Sequence, residues 1–379
     1  MRLFLFLVSF VFAFSTFSQK DSLKAVNKLK FSGDFRFRIE QDWKSRKSDG
    51  SYRDDRSRLR YRMRFGANYA YNEWITFGMR IRTGQWNKQQ DAHVTLGTGF
   101  KEFSTAPLGF DKIFLEFKRY NFNFWLGKNS YPFKKQNELF WSDNVSPDGV
   151  FLAYDFKLNS KIIDQLKINA GHFIVKANSG SFNTDAYFQG VQLQTSFWKK
   201  RVQLFPGFYY FNKMPDIPDG LATTTLNYAI FHVGGSYLIS KSASFALEAD
   251  FYANSSDLTN NPQIPTILND QNKGYVFALK WGKLKEKNDF QIKITYALLE
   301  RYSIVDYFAQ NDWVRWDYSS IGSPDGRLAN FQGAELSIAY AINKNFKLKT
   351  RCFMVEQLIS TGAFKENGYR VRLDLDIGF

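Results

Sequence analysis

Apolar and polar side chains alternate along many stretches of this chain. Residues 57–69 show the pattern most completely: Leu59, Tyr61, Met63, Phe65, Ala67 and Tyr69 alternate with Arg58, Arg60, Arg62, Arg64, Gly66 and Asn68. A period of two places successive side chains on opposite faces of an extended chain, so it predicts a β-strand. The same alternation recurs in residues 28–40, 191–197, 290–298 and 369–379, and helical spacing is not sustained anywhere after residue 18.

The breaks between these segments alternate between short and long. Short breaks are predicted at 71–73, 121–123, 198–200, 240–242, 285–288 and 343–345, and long polar ones at 44–56, 85–109, 131–147, 214–224, 255–270 and 302–330. Short periplasmic turns and long extracellular loops are typical of outer-membrane barrels. We therefore predict an all-β fold, a transmembrane antiparallel β-barrel of about sixteen strands, with fourteen or eighteen as alternatives.

The first residues indicate export. Arg2 precedes an apolar run from Leu3 to Phe14, and small side chains follow at Thr16 and Ser18. This pattern predicts a signal peptide over 1–18, cleaved after Ser18, because the apolar run is shorter than the roughly twenty residues of a membrane-spanning helix. Residues 19–27 then form a short periplasmic segment, too short for a plug domain, and 28–379 form the barrel in the outer membrane.

Composition agrees with strands that have one apolar and one polar face. Aromatic residues make up 18% of the chain and charged residues 23%, and the mean hydropathy is −0.38. The net charge of +15 fits nucleic acid, a membrane surface or anionic solutes, but export argues against nucleic acid. Cys352 is the single cysteine, so no internal disulfide holds the fold.

The basic residues of the N-terminal strands suggest an arginine-lined lumen. An arginine on the lipid face near mid-membrane costs roughly 2–4 kcal/mol, so the arginines between positions 58 and 64 must face inward. Because the last strand pairs with the first to close a barrel, one contiguous wall is predicted. The pore-lining set is Arg36, Arg38, Arg58, Arg60, Arg62, Arg64, Arg80, Arg82, Arg370 and Arg372.

Two interpretations of this wall remain open. It could be a salt-bridge lattice neutralised by Asp34, Glu40, Glu116, Asp374 and Asp376. These acids are fewer than the basic residues that they would neutralise, so we favour a positive lumen that prefers small anionic or polar solutes. Phosphate, organic acids and acidic sugars are not distinguished.

Aromatic residues near strand ends are expected to face the lipid interface. We place Tyr69, Trp74, Tyr120, Trp125 and Trp198 in two outward girdles. The chain ends on Phe379 after alternating apolar residues, which resembles the terminal signal that the barrel assembly machinery reads on outer-membrane proteins.

Three longer stretches resemble a known family. They are SGDFRFRIEQDW (32–43), SRLRYRMRFGANYAYNEWITFGMRIRTG (57–84), and FDKIFLEFKRYNFNFWLGKNSYPF with LFWSDNVSPDG (110–133 and 139–149). This part of the chain resembles the putative porin family of Bacteroidetes-type outer membranes, which is similar in style to phosphate-selective porins. Lys128 and Asp148 stand where that pattern has Arg and Glu. The resemblance implies an outer-membrane channel for passive diffusion and no catalytic residues.

Other chemistry is weakly indicated. His93, His172 and His232 lack metal-ligand spacing, and no catalytic pair stands out, so we expect no enzyme, metal or cofactor. A closed structural or surface-interaction barrel is the alternative function, and a barrel hydrolase is less favoured.

The loops suggest partners of the barrel. Lys44, Arg46, Lys47 and Arg53 would contact lipopolysaccharide phosphates, and a homotrimer is one assembly open to such a barrel. The longest loop carries Tyr302, Tyr307, Phe308, Trp313, Trp316 and Tyr318. We expect these rings to form a small core on the barrel rim rather than a sugar-stacking surface in the mouth.

Overall fold

The structure is a computed structural model. It describes residues 28–88, 90, 92–97, 103, 105–215, 224–262, 264–313, 329–360 and 362–379. The predicted signal peptide, the segment 19–27, Trp316 and Tyr318 lie outside the described residues.

Almost all regular structure is antiparallel sheet. The strands are β1 (Leu29–Arg46), β2 (Arg56–Ala70), β3 (Ile75–Thr83), β4 (Val94–Thr95), β5 (Leu108–Arg119), β6 (Phe122–Lys128), β7 (Asp148–Asp155), β8 (Ile163–Lys176), β9 (Ala186–Phe197), β10 (Val202–Pro215), β11 (Thr225–Ser240), β12 (Phe245–Asn254), β13 (Lys273–Gly282), β14 (Phe290–Leu299), β15 (Phe331–Ala341), β16 (Phe346–Gln357) and β17 (Asn367–Gly378). The two-residue β4 pairs with the outer part of β2, and β3 pairs with β5. The sixteen long strands close into a barrel because β1 pairs with both β2 and β17. The predicted all-β barrel of about sixteen strands is confirmed.

The connections alternate in length around the barrel. One rim has the short turns 71–74, 120–121, 156–162, 198–201, 241–244, 283–289 and 342–345. The other rim has the longer connections 47–55, 84–107, 129–147, 177–185, 216–224, 255–272, 300–330 and 358–366. Sequence reasoning missed the turn at 156–162 and the loops at 177–185 and 358–366.

The outer face of the barrel is an apolar belt. Phe31, Ile39 and Leu59 leave 59%, 47% and 44% of their surface exposed, which a soluble protein would bury. Trp198 is exposed as predicted, but Trp125 is not. Trp125 is 3% exposed and packs inward against Phe151 and Phe173, so its assignment to the outward girdle was wrong. The lumen beside β6 is aromatic, so polarity does not separate the two faces there.

The first and last strands meet in a seam whose charges change sign halfway along. Arg36 and Arg38 of β1 face Asp376 and Asp374 of β17, whereas Glu40 and Asp42 face Arg372 and Arg370. The last residue completes the seam, because Gly33 and Phe379 exchange two backbone hydrogen bonds of 3.0 Å.

Two long connections fold into the barrel rather than out into solvent. Phe140 and Trp141 of loop 129–147 are buried in one core with lumen-facing rings such as Phe188, and Phe308 and Trp313 of segment 301–313 join the same core. The predicted separate core on the rim was therefore wrong: the described aromatic residues of the long loop pack with the barrel's own interior. Among the described helices, none is long and apolar enough to cross a membrane.

Candidate pore-lining site

The ten predicted arginines lie on adjacent strands in the order β17, β1, β2 and β3. Arg36 and Arg38 face Arg62 and Arg60 across the β1–β2 ladder, and Arg64 faces Arg82 across the β2–β3 ladder. Together with Arg370 and Arg372 across the seam, they form one continuous surface of the lumen. We call these ten residues the arginine wall.

Three carboxylates of β1 each serve two arginines. Asp34 accepts hydrogen bonds of 2.7 Å from both Arg62 and Arg64. Glu40 is ion-paired with Arg58 and Arg372, and Asp42 with Arg56 and Arg370. Each shared carboxylate supplies one negative charge to two guanidinium groups, so sharing leaves a positive excess.

Three other wall arginines each make a two-pronged contact with one carboxylate, and Nη1 of Arg36 also lies 3.8 Å from Oδ2 of Asp374. Arg36 and Arg38 form two-pronged contacts with Asp376 and Asp374, and Arg80 does so with Asp111 at 2.9 and 2.6 Å. Two-pronged contacts of this kind fix the guanidinium plane as well as its charge.

Arg60 and Arg82 each donate a hydrogen bond to a backbone carbonyl group. Arg60 donates to the carbonyl oxygen of His93 at 3.0 Å, and Arg82 to that of Lys88 at 2.8 Å. In the described part of the chain Arg60 forms no ion pair, so its charge is offset only by the more distant Glu40.

The expected acidic partners are therefore mostly the observed ones. Asp34, Glu40, Asp374 and Asp376 pair with the wall, but Glu116 forms no ion pair within the described residues. Sequence reasoning missed Asp42, Asp111 and Asp312. Asp42 continues the inner-face alternation of β1 two residues beyond the predicted segment 28–40, so that residue could have been found.

A carboxylate from a loop also reaches the arginine wall. Asp312 contacts Arg372, and its Oδ2 lies 2.5 Å from Nη1 of the neighbouring Arg351. Burial acts to raise the pKa of Asp312, but the charges of Arg372 and Arg351 hold it well below its ordinary value. Asp312 is therefore charged at neutral pH.

The loop-side arginines of β17 are drier than the arginines on the turn side of the wall. The side chains of Arg370 and Arg372 are 4% and 1% exposed, near the end of β17 that meets the loops. Arg36 and Arg64, toward the turn side, are 22% and 17% exposed. Water thus reaches the turn half of the wall, whereas the inward loops cover the loop half on β17 but leave Arg58, at the loop end of β2, 23% exposed.

Loop 129–147 crosses the lumen to the wall opposite the arginines. The side-chain amide of Gln136 donates to the carbonyl oxygens of Gly235 and Ala249 at 3.0 and 2.8 Å. The loop also meets segment 301–313, because the amide of Ser142 donates to the carbonyl oxygen of Phe308 at 2.7 Å and Gln310 N donates to Glu138 O at 2.9 Å. The two inward segments therefore form one hydrogen-bonded body inside the barrel.

A cavity lies between this body and the outer end of the wall. Its volume is about 260 Å³, and its lining includes Arg82, Asp111, Asn144, Trp86 and Lys128. Charged, amide and aromatic groups together suit a small polar solute rather than an apolar one.

The histidines take structural positions. His232 is buried, with Nε2 2.8 Å from Asp250 and its ring stacked on Tyr252 at 4.7 Å. Burial, with Arg38 and Arg62 nearby, lowers the pKa of His93 well below its ordinary value. Within the described residues, no group of three or more His, Cys, Asp or Glu side chains is placed to hold a metal ion.

Solved structures of bacterial porins resemble the whole barrel. Pseudomonas putida OprB is 11% identical, with a TM-score of 0.56 over 93% of this chain and 94% of that one. Salmonella typhi OmpF, solved with daunomycin, is 12% identical with a TM-score of 0.54 over 93% and 97%. Vibrio cholerae OmpT, folded in vitro and in trimer form, is 12% identical with a TM-score of 0.50 over 93% and 99%. At such identities the likeness shows the fold alone.

Sequence comparison adds a family to the fold. No curated protein matches this chain in sequence. A family model does match it, over a stretch that includes β2 to β10 and the whole of the inward loop 129–147. Residues 49–215 match the family described as "Putative porin", and the chain as a whole has the porin barrel fold.

Proposed function

We propose that this protein is an outer-membrane porin through which small hydrophilic solutes diffuse passively. The observation that carries the proposal is a closed barrel with an apolar outer belt and an inner wall of charged side chains, part of which water reaches. The family match and the porin neighbours support the same function. Single-channel conductance of the purified protein in a planar bilayer is the direct test.

We propose further that the lumen prefers anions. Sharing of Asp34, Glu40 and Asp42 between pairs of arginines, and the neutral acceptor of Arg60, support a positive excess along the wall. Charged groups beside a narrow passage with low-dielectric walls project a stronger field than they would in bulk water. Arginine also suits brief two-pronged contact with carboxylate or phosphate groups.

The reversal potential under a salt gradient tests this preference. The wild type should favour chloride over potassium, and a triple variant Arg60→Ser, Arg62→Ser and Arg80→Ser should shift the reversal potential toward cations. Lys241→Ser, Lys285→Ser and Lys344→Ser, all in short turns at the rim, form a control with the same change in charge. Cation preference in the wild type, or equal shifts in the two triple variants, would contradict the proposal.

A closed barrel that serves as a surface-interaction protein is the second candidate. The observation that favours it is the depth of packing in the loop half of the lumen, where Trp313 and Ile304 are fully buried. This candidate predicts no ion conductance at any applied voltage, so the bilayer experiment separates it from the porin.

The same proposal includes the surroundings of the barrel. Lipid would cover the apolar belt, lipopolysaccharide phosphates would meet Lys44, Arg46, Lys47 and Arg53, and the assembly machinery would read Phe379, whose ring is 69% exposed. A homotrimer is supported by the trimer form of Vibrio cholerae OmpT and is tested by cross-linking in detergent. Cleavage after Ser18 would make Gln19 the N-terminus of the membrane-extracted protein.

A further inference from the structure

Asp312 differs from the other acids that pair with the arginine wall. Among the ion pairs of the described residues, the wall's remaining carboxylates belong to β-strands, as Asp34, Glu40 and Asp42 do on β1. Asp312 lies instead on segment 301–313, which enters the lumen from a long connection between β14 and β15. Its carboxylate therefore comes from a loop, whereas the arginines that it contacts belong to the strands of the barrel.

The basic groups around Asp312 each have a strand carboxylate of their own. Arg351 on β16 makes a two-pronged contact with Glu335 at 2.6 and 2.9 Å. Arg372 pairs with Glu40 at 2.5 Å, and Arg370 pairs with Asp42. These contacts hold the guanidinium groups without any help from the loop, so the site is preformed by strands.

The loop fills this preformed site through its carboxylate and its backbone. Asp312 Oδ2 is 2.5 Å from Arg351 Nη1, and the other carboxylate oxygen contacts Arg372. Arg370 Nη1 donates to the carbonyl oxygens of Asp312 and Asn311 at 3.1 and 3.3 Å. Three guanidinium groups from two neighbouring strands thus converge on one carboxylate and its peptide oxygens.

We infer that Arg351, Arg370 and Arg372 form a binding site for a carboxylate solute, and that Asp312 occupies this site as an internal competitor. A solute carboxylate of the same geometry would replace Asp312 and release segment 301–313 from the wall. The inference rests on the proposed porin function, because it assumes that solutes reach the lumen. It goes beyond a general anion preference, since it names one site and one chemical class.

Competition with a tethered group has a measurable consequence. A tethered carboxylate acts at an effective concentration in the millimolar range or above. A free ligand can bind only to the sites that the tethered group leaves empty, so its apparent association constant is multiplied by the fraction of empty sites. Removing the charge of Asp312 should therefore strengthen binding of a free carboxylate by about tenfold or more.

The experiment uses the full-length protein in detergent and isothermal titration calorimetry with succinate at constant ionic strength. Asp312→Asn should bind succinate at least about tenfold more tightly than the wild type. Asp306→Asn is the matched control, because Asp306 is a buried carboxylate of the same segment that pairs with Arg301 at 3.3 Å. This control should bind succinate as the wild type does.

A second variant shows whether a gain in succinate affinity comes from this site or only from the change in net charge. Adding Arg351→Gln to Asp312→Asn should remove the gain in succinate affinity. A gain that survives in the double variant, no gain in Asp312→Asn, or an equal gain in Asp306→Asn would overturn the inference. Migration in unboiled gels confirms that each variant has a closed barrel.

Inorganic phosphate and conductance complete the design. If phosphate gains affinity in Asp312→Asn and succinate does not, the assignment to carboxylates is wrong. Absence of wild-type conductance in potassium chloride would refute the porin proposal. The calorimetric comparison measures succinate affinity and tests the carboxylate site whether or not the protein conducts ions. The two failures are therefore distinguishable.

Discussion

At the scale of single residues, the wall depends most on carboxylates that serve two arginines. Glu40 is fully buried between Arg58 and Arg372, and its loss would leave Arg58 without an ion-pair partner among the described residues and Arg372 with Asp312 alone. Removing one member of a buried ion pair is strongly destabilising, because the remaining charge stays desolvated and unpaired.

Glu40→Gln should therefore lower the free energy of unfolding by about 3–5 kcal/mol. Asp376→Asn is the comparison, since the Asp376 side chain is 28% exposed and water can compensate Arg36. The temperature at which the compact form disappears in detergent gels should fall further for Glu40→Gln. Equal decreases in this temperature for the two variants would mean that the burial of the carboxylate does not determine the loss of stability.

The residue scale also shows what alternation in sequence can and cannot predict. The inward orientation of Arg58 to Arg64 was predicted because an arginine facing lipid is costly. Trp125 was misplaced because Phe124, Trp125 and Leu126 are consecutive apolar residues, so polarity does not tell which of them faces the lumen. The carboxylate of Asp312 was missed because its contacts join residues that lie far apart in sequence and depend on how a loop folds.

At the scale of elements, the inward loop 129–147 is held by ring stacking. Trp141 is 2% exposed and lies between Tyr131 and Phe308, with ring centroids 4.7 and 4.6 Å away. Its indole N–H donates to the carbonyl oxygen of Val145 at 2.9 Å. The Trp141 side chain therefore stabilises the fold of loop 129–147 and its packing against segment 301–313.

Trp141→Ala should loosen both inward segments. The truncation should cost about 3–5 kcal/mol, as large-to-small changes in packed cores do, and should raise the single-channel conductance as the obstruction weakens. Trp198→Ala is the control, because Trp198 is 58% exposed in the outward girdle and adds little packing to the lumen. Unchanged conductance in Trp141→Ala would show that these loops do not limit the passage.

Strands could be predicted where an alternating apolar and polar segment was bounded by turn-forming residues. The predicted strands at 57–69, 290–298 and 369–379 match β2, β14 and β17 within a few residues. The connection at 358–366 was missed because its first residues, Leu358 and Ile359, are apolar like those of the preceding strand, so the sequence does not mark the end of that strand. Whether a long loop turns inward depends on the shape of the cavity that receives it, which local periodicity does not encode.

At the scale of the whole molecule, closure of the barrel leaves no free sheet edge. The backbone hydrogen bonds are satisfied within one continuous cylinder, so unfolding must break many of them together. The unboiled protein should therefore migrate at a different apparent mass from the boiled protein in detergent gels. Identical migration, together with a helical circular dichroism spectrum, would refute the barrel.

The seam between β1 and β17 has a consequence for how the barrel is made. Its partners are far apart in sequence, so most of the polypeptide must be in place before they can meet. A slip of two residues that kept the same faces inward would bring Arg38 opposite Arg372, two like charges, in place of Asp374. That register would have only two opposite-charge pairs, Arg36 with Asp374 and Glu40 with Arg370, against four in the native seam, so the sign change favours the native register. The side chains of the proposed anion-selective wall therefore also favour the native register when the barrel closes.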